Sequence, residues 1–289
     1  MLDIAKVMSS QDSLHKLSDL PDTLIARMSR VLHSFSTGIV KAPHHSDRHY
    51  REHLIGSGTL VLIDGIPGIL TAQHVAQLLD EPCQLGLILT EREHRFTIDC
   101  QYLKIIEIPA SDIPGQGPDL AFIGLPKEKV SDIKVYKSFY NLSTDREMSL
   151  TRPPALDRGV WFVCGIPDER TIMEQPGESF DIALSFFGFC GAGGANRQFV
   201  LKGYDYIEVD VEYISSVNIP TNFGGVSGGG LWQVTVKESR EGQLEPVQYF
   251  FCGIPFYQSE LRDNKRFLRC HGRESIYRIA FDHVKSVYT

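Results

Sequence analysis

Short apolar runs broken by turn residues dominate this chain and leave it few ways to fold. From Thr37 onward, stretches rich in Val, Ile, Leu and Phe alternate with Gly, Pro, Asp and Asn, the pattern of strands separated by turns. A first set covers residues 59–63, 68–70, 85–90, 95–99, 102–108 and 120–124, with Asp64-Gly65 as a hairpin signal. A second set covers 160–164, 180–187, 199–209, 230–236, 247–254 and 276–279, across a polar connector at about 141–158. Many short strands point to an all-β barrel or sandwich. Helical spacing is confined to the ends and one turn. Residues 13–35 carry Leu17, Leu20, Leu24, Ile25, Met28, Val31 and Leu32 at three- and four-residue steps, interrupted by Pro21. Such an amphipathic helix is expected to cover the outside of a barrel. A short helical turn is expected at 76–79 and a final helix at 281–287.

A chain of 289 residues can bury a substantial core, as one large domain or two fused halves. Its formal net charge of −7 argues against non-specific nucleic-acid binding, which needs basic surface. No window is long and apolar enough to span a bilayer, and residues 1–10 lack the pattern of a secretory signal. Neither nucleic acid nor membrane is expected as a partner, and the expected location is the cytoplasm. The cysteines are Cys83, Cys100, Cys164, Cys190, Cys252 and Cys270. None falls in a C-x-x-C pair, so no zinc or dithiol redox site is expected. All six are read as reduced thiols, with Cys83–Cys100 the hardest pair to exclude as a bridge. His44, His45, Arg48, His49, Arg51 and His53 read as a solvated loop. Gly191-Ala192-Gly193-Gly194 lacks the Lys-Ser/Thr ending of a phosphate-binding loop and reads as surface loop.

Three segments place a reactive polar residue at the edge of an apolar or glycine-rich stretch. They are Leu70-Thr71-Ala72-Gln73-His74-Val75, Pro118-Asp119-Leu120-Ala121-Phe122-Ile123 and Phe223-Gly224-Gly225-Val226-Ser227-Gly228-Gly229-Gly230. In order they offer a base, a carboxylate and a nucleophile. A serine hydroxyl is weakly nucleophilic until an imidazole takes its proton, and a carboxylate must hold that imidazole in the right tautomer. Glycines around the serine permit a sharp turn, positive φ and close substrate approach. A lone histidine at a strand end, or an aspartate before an apolar strand, is usually structural. The conjunction and order of the three segments give them weight. Asp99 and Asp112 are the alternatives to Asp119.

On these motifs the chain resembles trypsin-like serine peptidases of the chymotrypsin fold, from about residue 36 to about 288. It is closer to the bacterial and intracellular members than to the secreted digestive ones. Gly56-Ser57-Gly58-Thr59-Leu60-Val61 resembles the strand before the catalytic histidine. The resemblance implies two six-stranded antiparallel barrels, at about 36–140 and 159–289, with a site between them. Residues 1–35 become an added helical segment. It implies that His74 acts as base and then acid, Asp119 orients it, and Ser227 attacks. The N–H groups of Gly225 and Ser227 would form an oxyanion hole. Thr221 would lie at the base of the primary pocket, and Cys252, Gly253 and Ile254 along the cleft. A protein or peptide substrate is implied, with no cofactor and no metal. Two departures stand out. Gln73 replaces a usual alanine. Val226 replaces the aspartate that, in secreted members, pairs with a new N-terminus after cleavage, so no such activation is expected. An uncharged Thr221 favours small or apolar residues before the scissile bond over Lys or Arg.

Two other readings compete. Gly225-Val226-Ser227-Gly228-Gly229 also fits G-x-S-x-G, the nucleophile elbow of α/β-hydrolases, with Asp263 or Asp282 and His271 or His283 as partners. The poor helix start at Gly228 and the absence of βαβ alternation count against it. The other is a latent or inactive protease fold that acts as a binding module. The N-terminal helix, or a regulatory protein partner, would then control the site.

Overall fold

The two sets of strands form two antiparallel sheets, in the order in which the chain supplies them. The structure is a computed structural model describing residues 20–42, 53–79, 83–90, 95–108, 118–152, 155–170, 172–174, 183–185, 189–191, 195–213 and 220–289. Strands β1 (Ser36–Ala42), β2 (His53–Ile63), β3 (Ile66–Thr71), β4 (Gln84–Ile88), β5 (Arg95–Asp99), β6 (Lys104–Glu107) and β7 (Ala121–Gly124) build the first sheet. Their spatial order is β5-β4-β1-β2-β3-β7-β6, and the two-residue β8 (Tyr140–Asn141) runs parallel to β2.

The second half begins with β9 (Val160–Gly165). A separate pair follows, β10 (Ile172–Glu174) with β11 (Ala183–Ser185). Then come β12 (Phe189–Gly191), β13 (Ala195–Leu201), β14 (Tyr204–Glu212), β15 (Gly230–Glu238), β16 (Leu244–Gln258) and β17 (Lys265–His271). The second sheet runs β12-β9-β15-β16-β17-β14-β13. The all-β, two-sheet architecture is as expected, but with eight and seven strands rather than six each.

Successive residues of the central strands face different cores, as the twofold period of a strand requires. Leu60 and Ile69 point into the first sheet's own cluster with Ile39, Leu87 and Ile123. Their neighbours Val61 and Leu70 turn to a cluster shared with Phe162, Trp232 and Phe251 of the second sheet. Burial on both faces explains why these strands read as continuous apolar runs. A third cluster, with Trp161, Ile207, Leu231, Phe250 and Leu268, belongs to the second sheet. Helix α1 (Asp22–His33) inserts Leu24, Met28 and Leu32 into the shared cluster. It is therefore part of the joint between the sheets, not a cover on the outside of one. Phe35 stacks on Trp232 with ring centres 5.4 Å apart.

Several local expectations needed correcting. Residues 199–209 are not one strand: Lys202 and Gly203, with φ of 54° and 84°, turn the chain between β13 and β14. Residues 276–279 are not a strand but lie in a π-helical stretch, Ser275–Ala280, that leads into a final helix. The Asp205 carboxylate starts this stretch by accepting from the N–H groups of Glu274 (3.0 Å) and Ser275 (2.7 Å). The helical turn expected at 76–79 begins earlier, as α2 (Gln73–Ala76). Helices α3 (Lys127–Lys134) and α4 (Leu142–Thr151) were not anticipated, and α4 fills much of the connector. The final helix is α5 (Phe281–Tyr288).

Cys83 and Cys100 are bridged, with Cα atoms 5.5 Å apart, so the reading of all six cysteines as reduced is wrong. The antiparallel register explains it: Gln84 pairs with Asp99, which sets the flanking residues 83 and 100 opposite each other. Cys164, Cys252 and Cys270 are buried thiols. Of the histidine-rich stretch, only His53 lies within the described residues, and so does only Gly191 of the glycine run at 191–194.

Candidate active site

Strand register brings His74 to Asp119. Thr71, at the end of β3, pairs with Ala121, at the start of β7. His74 lies just beyond the first and Asp119 just before the second. His74 Nδ1 lies 2.6 Å from Asp119 Oδ2, and the His74 backbone N–H donates to Asp119 Oδ1 at 2.9 Å. Both carboxylate oxygens are thus engaged by one residue, which fixes the imidazole's position and assigns Nδ1 as the protonated nitrogen. Burial pushes the Asp119 carboxyl up, but the hydrogen bonds from His74 outweigh it and hold it below its usual range. Asp99 is bonded to Gln84 instead, at 2.8 Å, and Asp112 lies outside the described residues.

Gln73, where the resemblance would place alanine, has a use. Its amide donates to Glu107 Oε2 at 2.8 Å, and Gln77 donates to the other oxygen at 3.0 Å. The carboxylate of β6 thereby braces the helix that carries His74.

The Ser227 loop is stitched to the adjacent strand β2, which pairs with β3. The Ser57 N–H, in β2, donates to the Ser227 carbonyl at 2.8 Å. The Ser57 hydroxyl donates to the Gly225 carbonyl at 2.7 Å and accepts from Ile166 N–H at 2.9 Å. The Ser57 carbonyl accepts from Thr71 Oγ1 at 2.7 Å. This fully buried serine ties together the loop of Ser227, the strand leading to His74 and the end of β9. Two glycines show how close the packing is. A Cβ on Gly56 would meet Val75 Cγ2 at 2.5 Å and the Ser227 carbonyl at 3.1 Å. One on Gly228 would meet Thr71 Oγ1 at 2.0 Å and Ala72 N at 2.9 Å. The neighbours of His74 therefore touch the neighbours of Ser227.

Gly225 has φ of 80°, in the left-handed region. The Gly224 carbonyl accepts from Asp168 N–H at 2.8 Å. Among the described residues, the N–H groups of Gly225 and Ser227 make no hydrogen bond. Val226 is buried with Phe223 in the apolar core of the second sheet.

The expected cleft residues divide. Thr221 is exposed, and both its N–H and its hydroxyl donate to Glu169, at 2.8 and 2.6 Å. Cys252 and Ile254 are fully buried, their side chains in the cores, and Gly253 pairs with Leu231 of β15. Side-chain contact of Cys252 and Ile254 with a substrate is ruled out by that burial. Beyond Gly253, its last pairing with β15, the first accessible position on β16 is Phe256.

His271, at the end of β17, is fully buried, its ring 4.4 Å from that of Phe256 and 5.1 Å from that of Tyr206. Among the described residues, neither ring nitrogen makes a hydrogen bond of ordinary geometry, although the Asp119 backbone lies close enough to favour the protonated ring. Burial pushes its pKa down to about 4, against a weaker upward pull from Asp119. The ring is neutral at pH 7. The elbow reading, for which His271 is one of two candidate bases, fails on topology: Ser227 is followed by strand β15, not a helix, in an antiparallel sheet. Among the described residues there is no group of three His, Cys, Asp or Glu able to hold a metal, and no helix long and apolar enough to cross a membrane.

No family model matches the chain, and no curated protein does. Among solved structures, the chain is similar to a serine-to-alanine mutant of Rv3671c from M. tuberculosis H37Rv in an inactive form. The TM-score is 0.46 at 11% identity, over 92% of this chain and 94% of that one. A structure described with the Sesbania mosaic virus VPg protein aligns with TM-score 0.42 at 15% identity, over 92% and 93%. The HtrA-type protease AlgW with a decapeptide aligns with TM-score 0.40 at 14% identity, over 84% and 62%.

Proposed function

We propose that this chain is a serine endopeptidase that cleaves a protein or peptide substrate through His74, Asp119 and Ser227. The observation that carries the reading is the His74–Asp119 pair, held by two hydrogen bonds at the ends of β3 and β7, while β2, the neighbour of β3, is bonded directly to the Ser227 loop. In this mechanism Ser227 Oγ attacks the scissile carbonyl while His74 Nε2 takes its proton. Asp119 keeps the other ring nitrogen protonated and stabilises the imidazolium. The oxyanion forms against the free N–H groups of Gly225 and Ser227, each worth about 3 kcal/mol in the transition state. His74 then gives the proton to the leaving amine, and water releases the acyl group from Ser227 by the same steps. A peptide strand would add to the open side of β16 from Phe256 onward, where main-chain groups supply affinity.

The chemistry uses no metal or cofactor. Buried Val226 supports activity without a newly exposed N-terminus. The Cys83–Cys100 bridge belongs to an oxidising environment and counts against a cytoplasmic location. Incubation of a denatured protein substrate with the wild type and with Ser227→Ala, His74→Ala and Asp119→Asn tests the proposal. Cleavage should fall by at least about 10³-fold in each variant. Equal cleavage by Ser227→Ala would end it.

A further inference from the structure

We propose that Glu169 and Gln258 are positioning residues. Together with Asn222 they clamp the turn before Ser227 so that the Gly225 and Ser227 N–H groups stay aimed outward. The inference rests on the peptidase reading above. Residues 221–224 belong to no strand, so no ladder satisfies their backbone. Exposed turns of this kind ordinarily give their N–H groups to water. Here four successive N–H groups go to side chains. Thr221 and Asn222 donate to the two oxygens of Glu169, at 2.8 and 3.0 Å. Phe223 donates to Gln258 Oε1 at 3.0 Å, and Gly224 to Asn222 Oδ1 at 2.8 Å. Gln258 Nε2 closes the ring on Asn222 Oδ1 at 2.6 Å, and Arg266 holds Gln258 in turn. The Thr221 hydroxyl adds a third bond to Glu169, and bonds to a carboxylate are about twice as strong as neutral ones.

The end of the clamp is what matters. The Gly224 carbonyl and the Gly225 N–H share one planar trans peptide and point in opposite directions. Fixing the carbonyl on Asp168 N–H therefore fixes the direction of the Gly225 N–H. With glycine on both sides of that peptide, its rotation meets little local resistance. Flipping it would turn a carbonyl oxygen toward the developing oxyanion. Glu169 stands next to Asp168, so one loop holds both the start of the turn and the critical peptide.

The test compares the wild type with Glu169→Ala, Glu169→Gln and Gln258→Ala. It measures the rate of labelling by a fluorophosphonate, amide hydrogen exchange across residues 221–228, and thermal unfolding. Glu169→Ala should slow labelling by about 10- to 100-fold, a sizeable share of the loss seen on deleting an oxyanion donor. It should speed exchange at Thr221 and Asn222 and leave the unfolding midpoint nearly unchanged. On a peptide substrate the loss should fall on kcat rather than KM. Glu169→Gln, which keeps one acceptor, should recover part of the rate. Wild-type labelling in Glu169→Ala would overturn the clamp while leaving the peptidase reading intact. If the wild type itself fails to label, the peptidase reading fails, and unchanged exchange in Glu169→Ala and Gln258→Ala would then overturn the clamp separately. Should Glu169→Ala not fold, the same comparison with Glu169→Gln and Gln258→Ala decides it.

Discussion

Gly228→Ala probes whether the contact between the two halves of the site sets its function. Gly228 has φ of 87°, where an L residue costs about 1–2 kcal/mol. Gly65, in the β2–β3 turn, has nearly the same φ of 81°, with nothing within 4 Å of an added Cβ. Gly65→Ala therefore measures the backbone cost alone. At Gly228 the added carbon would lie 2.0 Å from Thr71 Oγ1, 2.3 Å from the Ser57 carbonyl and 2.9 Å from Ala72 N. The threonine hydroxyl can rotate, at the loss of its bond to Ser57. To restore ordinary contact the Ser57 carbonyl, in β2, must move by about 1 Å and Ala72 N, between β3 and the helix of His74, by about 0.5 Å. Overpacking of this kind costs about 1–3 kcal/mol beyond the backbone term. A displacement of about 1 Å between reacting groups can cost about 10²-fold in rate. Urea unfolding and the fluorophosphonate labelling rate are the assays. Gly228→Ala should be about 2 kcal/mol less stable than Gly65→Ala and label about 10²-fold more slowly. Equal stability of the two variants, with wild-type labelling in both, would refute the reasoning.

Two further outcomes follow from the structure. Replacing Cys83 and Cys100 by serine opens a bridge spanning 17 residues and should cost about 3 kcal/mol in denaturant unfolding, a loss reproduced by reductant acting on the wild type. Wild-type stability in the double variant would contradict the bridge. The neutral His271 ring, with its folded pKa of about 4 against an ordinary 6.5, makes stability pH-dependent. The unfolded chain takes up the proton first, so the contribution is complete above pH 6.5 and is lost as pH falls toward 4, by about 3 kcal/mol. His271→Leu should flatten that part of the profile measured by urea unfolding, whereas an unchanged slope would show that the ring does not titrate there.

The parts of this fold visible in sequence are those encoded locally. Residues 95–99 and 160–164 coincide with β5 and most of β9 because their composition and flanking turns agree. Strand β17 escaped because Lys265, Arg266 and Arg269 interrupt its apolar residues. Arg269 is accommodated by a salt bridge to Glu208 across the register with β14, which only pairing reveals. Residues 276–279 look like strand by composition and are helical because distant Asp205 caps them. The same division holds at the site. His74, Asp119 and Ser227 announce themselves by the residues around them. Ser57, Glu169 and Gln258 carry no local signal, since each acts through a partner at least 35 residues away in the chain. The burial of Cys252 in the second sheet's own cluster and of Ile254 in the shared one depends on packing across the sheets, which the local sequence does not display.

The most direct test is reaction of the purified protein with a fluorophosphonate, followed by intact mass and peptide mapping, beside Ser227→Ala, His74→Ala and His271→Ala. A single adduct on Ser227 is predicted, absent in the first variant, nearly absent in the second and retained in the third. A folded wild type that takes up no label, or an adduct on any other residue, would contradict the assignment of His74, Asp119 and Ser227.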